Sequence, residues 1–386
     1  MYLLKNANVF TPEGWKSGYS VLIDKKKIAV VGKNISNPAK STVIDCAGKW
    51  VIPGIVEAHC HIGVYEEGAG FMGNHFNEGS DPITPQLRAI DAVFPRDPGF
   101  RYALEGGITT ACALPGSANL IGGLGVVLKC RPNAQTVDEM VLKNPEGMKF
   151  ALGENPFRFY GKDQGKAPKT RMACAAMTRS ALMKCRDYMA KKQKAKKKKD
   201  LFDLDLAMEN LSMLLEKKIT ARWHCHRADD ILTALKIAEE FDFKVSIEHS
   251  TEGHLIVDEL KKRKVDCITG PINTAMYKQE LRERSISLPA ILNSAGIRVS
   301  ITTDHPVAPI WTLPILASMA VRGGMNEDEA LRAITIYPSQ ILKLDKRIGS
   351  IAKNKDADIS IWDGHPLDTR CHCVRVFLEG EELFKA

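Results

Sequence analysis

The chain has 386 residues, 44% of them hydrophobic and 26% charged, with ten cysteines and a formal net charge of +8. These are the proportions of a folded globular protein, so dominant disorder is excluded; ten cysteines without one CxxC pair exclude a disulfide scaffold and argue against a zinc knuckle. Seven of the eight excess positive charges are lysines of one run, residues 191–199, so the net charge does not mark the whole surface for an acidic partner.

Residues 1–50 read as short strands at Tyr2–Leu4, Ser20–Asp24, Ile28–Val31 and Thr42–Asp45, separated by polar turns. The tail repeats the style at Ile359–Trp362 and Val374–Leu378. Residues 1–50 and 350–386 are therefore expected to form one small β-sandwich domain. Between them, apolar runs occur at Trp50–Ile55, Thr109–Leu114, Val126–Cys130, Met148–Leu152, Ile219–Trp223, Lys244–Ile247, Val265–Thr269 and Ile297–Thr302. Helical periods fall between several of them. Asp230–Phe241 is amphipathic, and Asn326 with Glu329 marks a helix start leading into Ala330–Leu342. Eight buried strands alternating with helices predict an α/β fold, a (β/α)8 TIM-like barrel over residues 51–349. An insertion at about 156–205 is too long for a plain connection. It holds a helical stretch, Met172–Ala190, and then the lysine run, expected as a solvated, loose segment.

The chemistry-bearing residues sit at strand ends. His59-Cys60-His61 closes the first strand, and two imidazoles at i and i+2 share a face. Strand five ends in His224-Cys225-His226, strand six in Glu248-His249, and strand eight runs into Asp304-His305. Taken alone, any one histidine reads more readily as a packed core or rim residue. Together they supply nitrogen and oxygen ligands at the end of a barrel that holds catalytic groups.

With these motifs the sequence resembles the metal-dependent amidohydrolase superfamily, and within it the imidazolonepropionase-like and Xaa-Pro-dipeptidase-like branch. Gly48-Lys49-Trp50 before Pro53-Gly54, and Gly349-Ser350-Ile351 with Lys355-Asp356-Ala357-Asp358, carry the same resemblance. It implies a divalent metal, zinc by preference, as one or two ions. His59, His61, Lys149, His224, His249 and Asp304 would be the ligands, with Lys149 carbamylated as a bridge. Glu154 is the alternative to Lys149, and His226 the alternative to His224. The implied reaction is hydrolysis of a C–N bond in an amide or cyclic amide by metal-activated water, with Asp304 as catalytic proton shuttle.

Tyr65, Asn119, Arg158, Arg171, His226 and Arg227 are the candidate substrate contacts, and the arginines suit a carboxylate. The expected partner is a small-molecule substrate, and a homo-oligomer is compatible with the pattern. Nucleic acid is not expected, because the lysine run lacks interleaved aromatics. The opening MYLLKNANVF lacks a signal-peptide pattern, and no apolar stretch approaches membrane-spanning length. The expected setting is the cytoplasm. The rival readings are an Xaa-Pro-type dipeptidase and a non-catalytic relative kept for binding or assembly.

Overall fold

The computed structural model describes residues 1–386. In chain order its strands are β1 (Tyr2–Thr11), β2 (Gly14–Asp24), β3 (Lys27–Gly32), β4 (Thr42–Asp45), β5 (Trp50–Pro53), β6 (Ile55–Cys60), β7 (Ile108–Ala113), β8 (Ile121–Leu124) and β9 (Val126–Lys129). They continue with β10 (Val141–Lys143), β11 (Gly147–Ala151), β12 (Thr220–Cys225), β13 (Val245–His249), β14 (Asp266–Thr269), β15 (Val299–Ile301), β16 (Ile359–Trp362), β17 (Cys373–Leu378) and β18 (Glu381–Lys385).

Both chain ends meet in one sheet, ordered β18-β17-β16-β5-β1-β2-β3 with β4 paired to β1. The two facing sheets of a sandwich were expected; the hydrogen bonding makes a single sheet. Its apolar side holds Leu4, Val9, Val21, Ile23, Val51, Ile359 and Phe377. The expected strand Trp50–Ile55 is split at Gly54: Trp50–Pro53 pairs with β1 and β16, and the chain then enters β6, parallel to β7. A Cβ at Gly54 would lie 2.1 Å from Thr109 Oγ1. Gly54→Ala is therefore expected to cost about 1–3 kcal/mol by overpacking, read as a lower denaturant midpoint at unchanged slope. An unchanged midpoint would mean that the two strands separate freely at this joint.

The middle of the chain supplies the staves. β11 through β15 run parallel in sequence order. The third apolar run departs from the expected parallel pattern. β9 pairs antiparallel with β7, β8 pairs antiparallel with β11, and Gly125 between them hydrogen-bonds Gly147 and Glu146. The physical reason is the connection. The link from β7 to its neighbour β9, residues 114–125, holds β8 and no helix, so it makes no crossover of the kind a parallel neighbour needs. No ladder closes β15 onto β6. The seam is bridged by the His61 N–H donating to the His305 carbonyl at 2.8 Å and the Thr302 hydroxyl donating to the His59 carbonyl at 2.5 Å.

The insertion is helical, and so is most of the lysine run. A 28-residue helix spans Arg171–Lys198, capped by the Thr170 hydroxyl accepting from Ala173 N–H, and it ends with Lys199 in the left-handed region. Its buried face, Cys174, Leu182 and Cys185, shares an apolar cluster with Leu211 and Leu214 of the helix Leu206–Leu215. Tertiary packing thus extends a helix through charges that would repel in isolation. Asn326 caps a helix as expected, its side chain accepting from Asp328 and Glu329 N–H, but that helix stops at Arg332 and a second spans Ile336–Ile341. No helix is long and apolar enough to cross a membrane.

Candidate metal centre and active site

Alternation along the staves aims the polar residues inward. Glu57, His59 and His61 share one face of β6 and its continuation; Arg222, His224 and His226 share one face of β12. On β13 strict alternation would send Glu248 and His249 to opposite sides. His249 instead has φ +71°, which turns its ring toward the same site, and Asp304 follows β15 with φ +51°. Positive φ at non-glycine residues is uncommon and clusters at functional sites.

His59, His61 and Asp304 each offer one ligand atom, all within 4.8 Å of one another. His61 Nδ1 is 2.7 Å from the Leu114 carbonyl, which can only accept, so Nδ1 carries the proton. His59 Nδ1 faces Glu248 Oε2 at 2.7 Å and is protonated for the same reason. That leaves His59 Nε2 and His61 Nε2 as lone pairs, and they stand 3.2 and 3.3 Å from Asp304 Oδ1. Three acceptors therefore converge with no hydrogen among them; Lys149 Nζ approaches His59 Nε2 at 3.4 Å, and Asp304 Oδ1 has no donor partner. A cation answers that arrangement, so the residues fit a divalent metal.

A second group follows on. His224, His226 and Glu280 also offer ligand atoms within 4.8 Å of one another. His226 Nδ1 contacts the Thr251 hydroxyl at 2.8 Å, and His249 Nδ1 donates to the Gly270 carbonyl at 2.7 Å. Asn155, fixed by Lys278 on its carbonyl oxygen, donates to His224 Nε2 at 3.3 Å; His224 Nδ1 is buried without a hydrogen-bond partner, and Glu280 Oε1 is ion-paired with Lys278 Nζ at 2.9 Å. The His249 ring joins the two groups, 5.0 Å from the His59 ring and 4.5 Å from that of His224. Burial lowers the pKa values of His61, His224 and His226, and that of His249 to about 4, which keeps these imidazoles neutral and able to ligate.

Lys149, fully buried on β11, places Nζ 3.4 Å from His59 Nε2. Burial lowers its pKa to about 8. Beneath the histidines runs a charged chain that sequence reasoning left without a role. Glu248 accepts from Arg222 Nε at 2.6 Å, and Arg222 also donates to Glu146 at 2.8 Å. Burial alone would raise the Glu248 pKa, but Arg222 and His59 outweigh it and hold the carboxylate well below its usual range. Glu248 thereby stays an acceptor and fixes the orientation of the His59 ring.

A cavity of about 250 Å³ opens above the histidines, lined among others by Asn155, Arg158, Tyr277, Lys278 and Arg284 with His226 and Asp304. Of the expected substrate contacts, Arg158 and His226 line it. Arg171 is instead paired with Asp230 at 3.0 Å, and Arg227 with Asp229 at 2.9 Å. Asn119 donates to the Asp81 carbonyl and Thr84 hydroxyl and accepts from Tyr160. Tyr65 packs edge-on to Phe76 without lining the cavity, and Glu154 offers its backbone N–H to Glu280 but belongs to neither ligand group. Tyr277, Lys278, Glu280 and Arg284 come from the irregular stretch after β14 and carried no strand-end signal; Glu248 and Arg222 were readable from alternation alone.

The amidohydrolase family pattern matches residues 50–382. The chain is similar to an amidohydrolase from Thermotoga maritima MSB8, at 42% identity and TM-score 0.97 over 100% of both chains. It is 28% identical to the amidohydrolase tasK of Hapsidospora irregularis over 90% of this chain, but spans only 38% of that relative's length. A dihydroorotase of Trichlorobacter lovleyi is 24% identical over 94% of this chain and 89% of its own. An Xaa-Pro dipeptidase with bound methionine shares the fold at TM-score 0.59 and 14% identity, over 100% of both chains. The histidine-rich cavity thus lies within a match that spans most of the chain, and the chain belongs to the amidohydrolase family.

Proposed function

We propose that this protein is a divalent-metal-dependent hydrolase of an amide or cyclic-amide C–N bond in a small molecule bearing a carboxylate. The observation that carries the reading is the convergence of His59 Nε2 and His61 Nε2 on Asp304 Oδ1, a buried oxygen without a donor. His224, with His226 as its alternative, His249 and Lys149 extend the ligand set toward a second ion, zinc being the preferred metal. A bound divalent ion supplies Lewis acidity and brings the pKa of water to about 7. Asp304 takes the proton of the attacking water and delivers it to the leaving nitrogen. His226 lines the wall beside the reacting carbon and is placed to stabilise the developing oxyanion. Arg158 and Arg284 line the cavity and supply positive charge for a substrate carboxylate; Arg284 is oriented by donating Nη1 to the Ile272 carbonyl.

The dihydroorotase relatives support the cyclic-amide reading. The test is to strip the protein with a chelator, restore it with Zn²⁺ or Mn²⁺, and assay N-acyl amino acids, dipeptides and cyclic amides, each beside its carboxamide analogue. The expected result is no turnover after stripping, recovery with metal, and a lower KM for the carboxylate of each pair. A protein that takes up no stoichiometric metal and gains no rate would be a non-catalytic relative, and the proposal would fall.

A further inference from the structure

A second, larger cavity of about 690 Å³ lies between the helix Gly99–Glu105, the stretch 305–315 and the sheet formed by the chain ends. It shares no lining residue with the catalytic cavity. Tyr102, Trp311, Trp362 and Phe384 line it with Glu67 and His305. Neither lysine nor arginine lines it.

His305 is the informative residue. Its carbonyl accepts from His61 N–H on the catalytic side, while its ring, 1% exposed, belongs to the second cavity. Both ring nitrogens are buried without a hydrogen-bond partner. A neutral imidazole carries one donor and one acceptor, and leaving both unmade is costly. The nearest charged atom is Glu67 Oε2, 3.5 Å from Nε2. Two other carboxylates on the rim are already paired, Glu105 with Arg101 and Asp368 with Arg370. Glu67 has no lysine or arginine partner. An aromatic-lined space whose Glu67 carboxylate has only an imidazole 3.5 Å away, with no lysine or arginine in the lining, is the chemistry that recognises an organic cation.

We propose that this cavity is a binding site for a small ammonium ion with an apolar body. The ammonium pairs with the Glu67 carboxylate, and the apolar body lies among Tyr102, Trp311, Trp362 and Phe384. Two of the chain's five tryptophans line the cavity, so their emission reports occupancy directly.

The test titrates the full-length protein with benzylammonium chloride, following tryptophan fluorescence, with benzyl alcohol as the neutral comparator at matched ionic strength. The expected result is a saturable change with benzylammonium and binding of benzyl alcohol weaker by about tenfold or more. Glu67→Gln is expected to weaken benzylammonium by about tenfold and leave benzyl alcohol unchanged. Trp311→Leu, at a half-exposed position that tolerates substitution, is expected to weaken both ligands and remove part of the signal. No saturable change, equal binding of the two ligands, or an unaltered Glu67→Gln titration would overturn the proposal. The outcome is independent of the hydrolase reading, because no step of the assay uses turnover.

Discussion

Asp304→Asn is expected to leave the protein folded and to lower turnover by about 10²- to 10⁴-fold, the range that a positioned acid–base group contributes. Asparagine has the same shape and tolerates the left-handed backbone at this position, where φ is +51°. The local fold is held by neighbours that the substitution does not touch. Asp304 N–H donates to the Thr302 hydroxyl at 3.0 Å, and Glu57 accepts from both the amide and the hydroxyl of Thr303 at 2.8 and 2.7 Å. Two imidazole nitrogens remain to hold metal, so occupancy should fall less than rate. The side chain loses its ability to take a proton from water. The measurement pairs turnover on the best substrate with metal content and a thermal melt. Near wild-type turnover in a folded, metal-loaded variant would remove Asp304 from the proton path.

Much of this centre is legible in the sequence, because a strand has a period of two. His59 and His61, and His224 and His226, share faces by arithmetic alone, and the apolar-Lys-apolar setting of Lys149 aims a charge into a core. The third stave is different. An apolar run such as Val126–Lys129 carries no mark of direction; direction is set by the preceding link, and residues 114–125 between β7 and β9 hold no crossover helix. The lysine run misled for the opposite reason, since like charges argue for a loose chain while Thr170 and the apolar face through Cys185 hold a helix. Arg171 and Arg227 are basic residues near the mouth whose acids are supplied by Asp230 and Asp229. Local pairing of that kind silences a guanidinium as a substrate contact, and composition does not reveal it. Lys278, Glu280 and Arg284 were hidden because a chain after β14 without regular structure has no period from which to infer facing.

Lys149→Met separates the two ways of accounting for a buried lysine. As an ordinary amine it is a burden: it is wholly enclosed, burial depresses its pKa to about 8, and its Nζ faces a histidine nitrogen at 3.4 Å. Asp304 and Glu248 favour its charged form but neither pairs with it directly, and burial outweighs them. As a carbamate it becomes a ligand. The neutral amine would attack carbon dioxide, forming an N–C bond as a C–O π bond opens and one proton leaves to solvent, and the carbamate oxygens would join His59, His61, Asp304 and His224 or His226 as ligands. The expected result for the wild-type protein, incubated with zinc and ¹³C-bicarbonate, is a carbamate carbon resonance and about two metal ions per chain. Lys149→Met should lose the resonance, retain about one ion, and lose most of its turnover, while its metal-free form melts no lower than wild type because methionine fills the same apolar channel. Absence of the resonance in wild type, with equal metal content in both proteins, would sink the bridge and leave a single-ion centre on His59, His61 and Asp304.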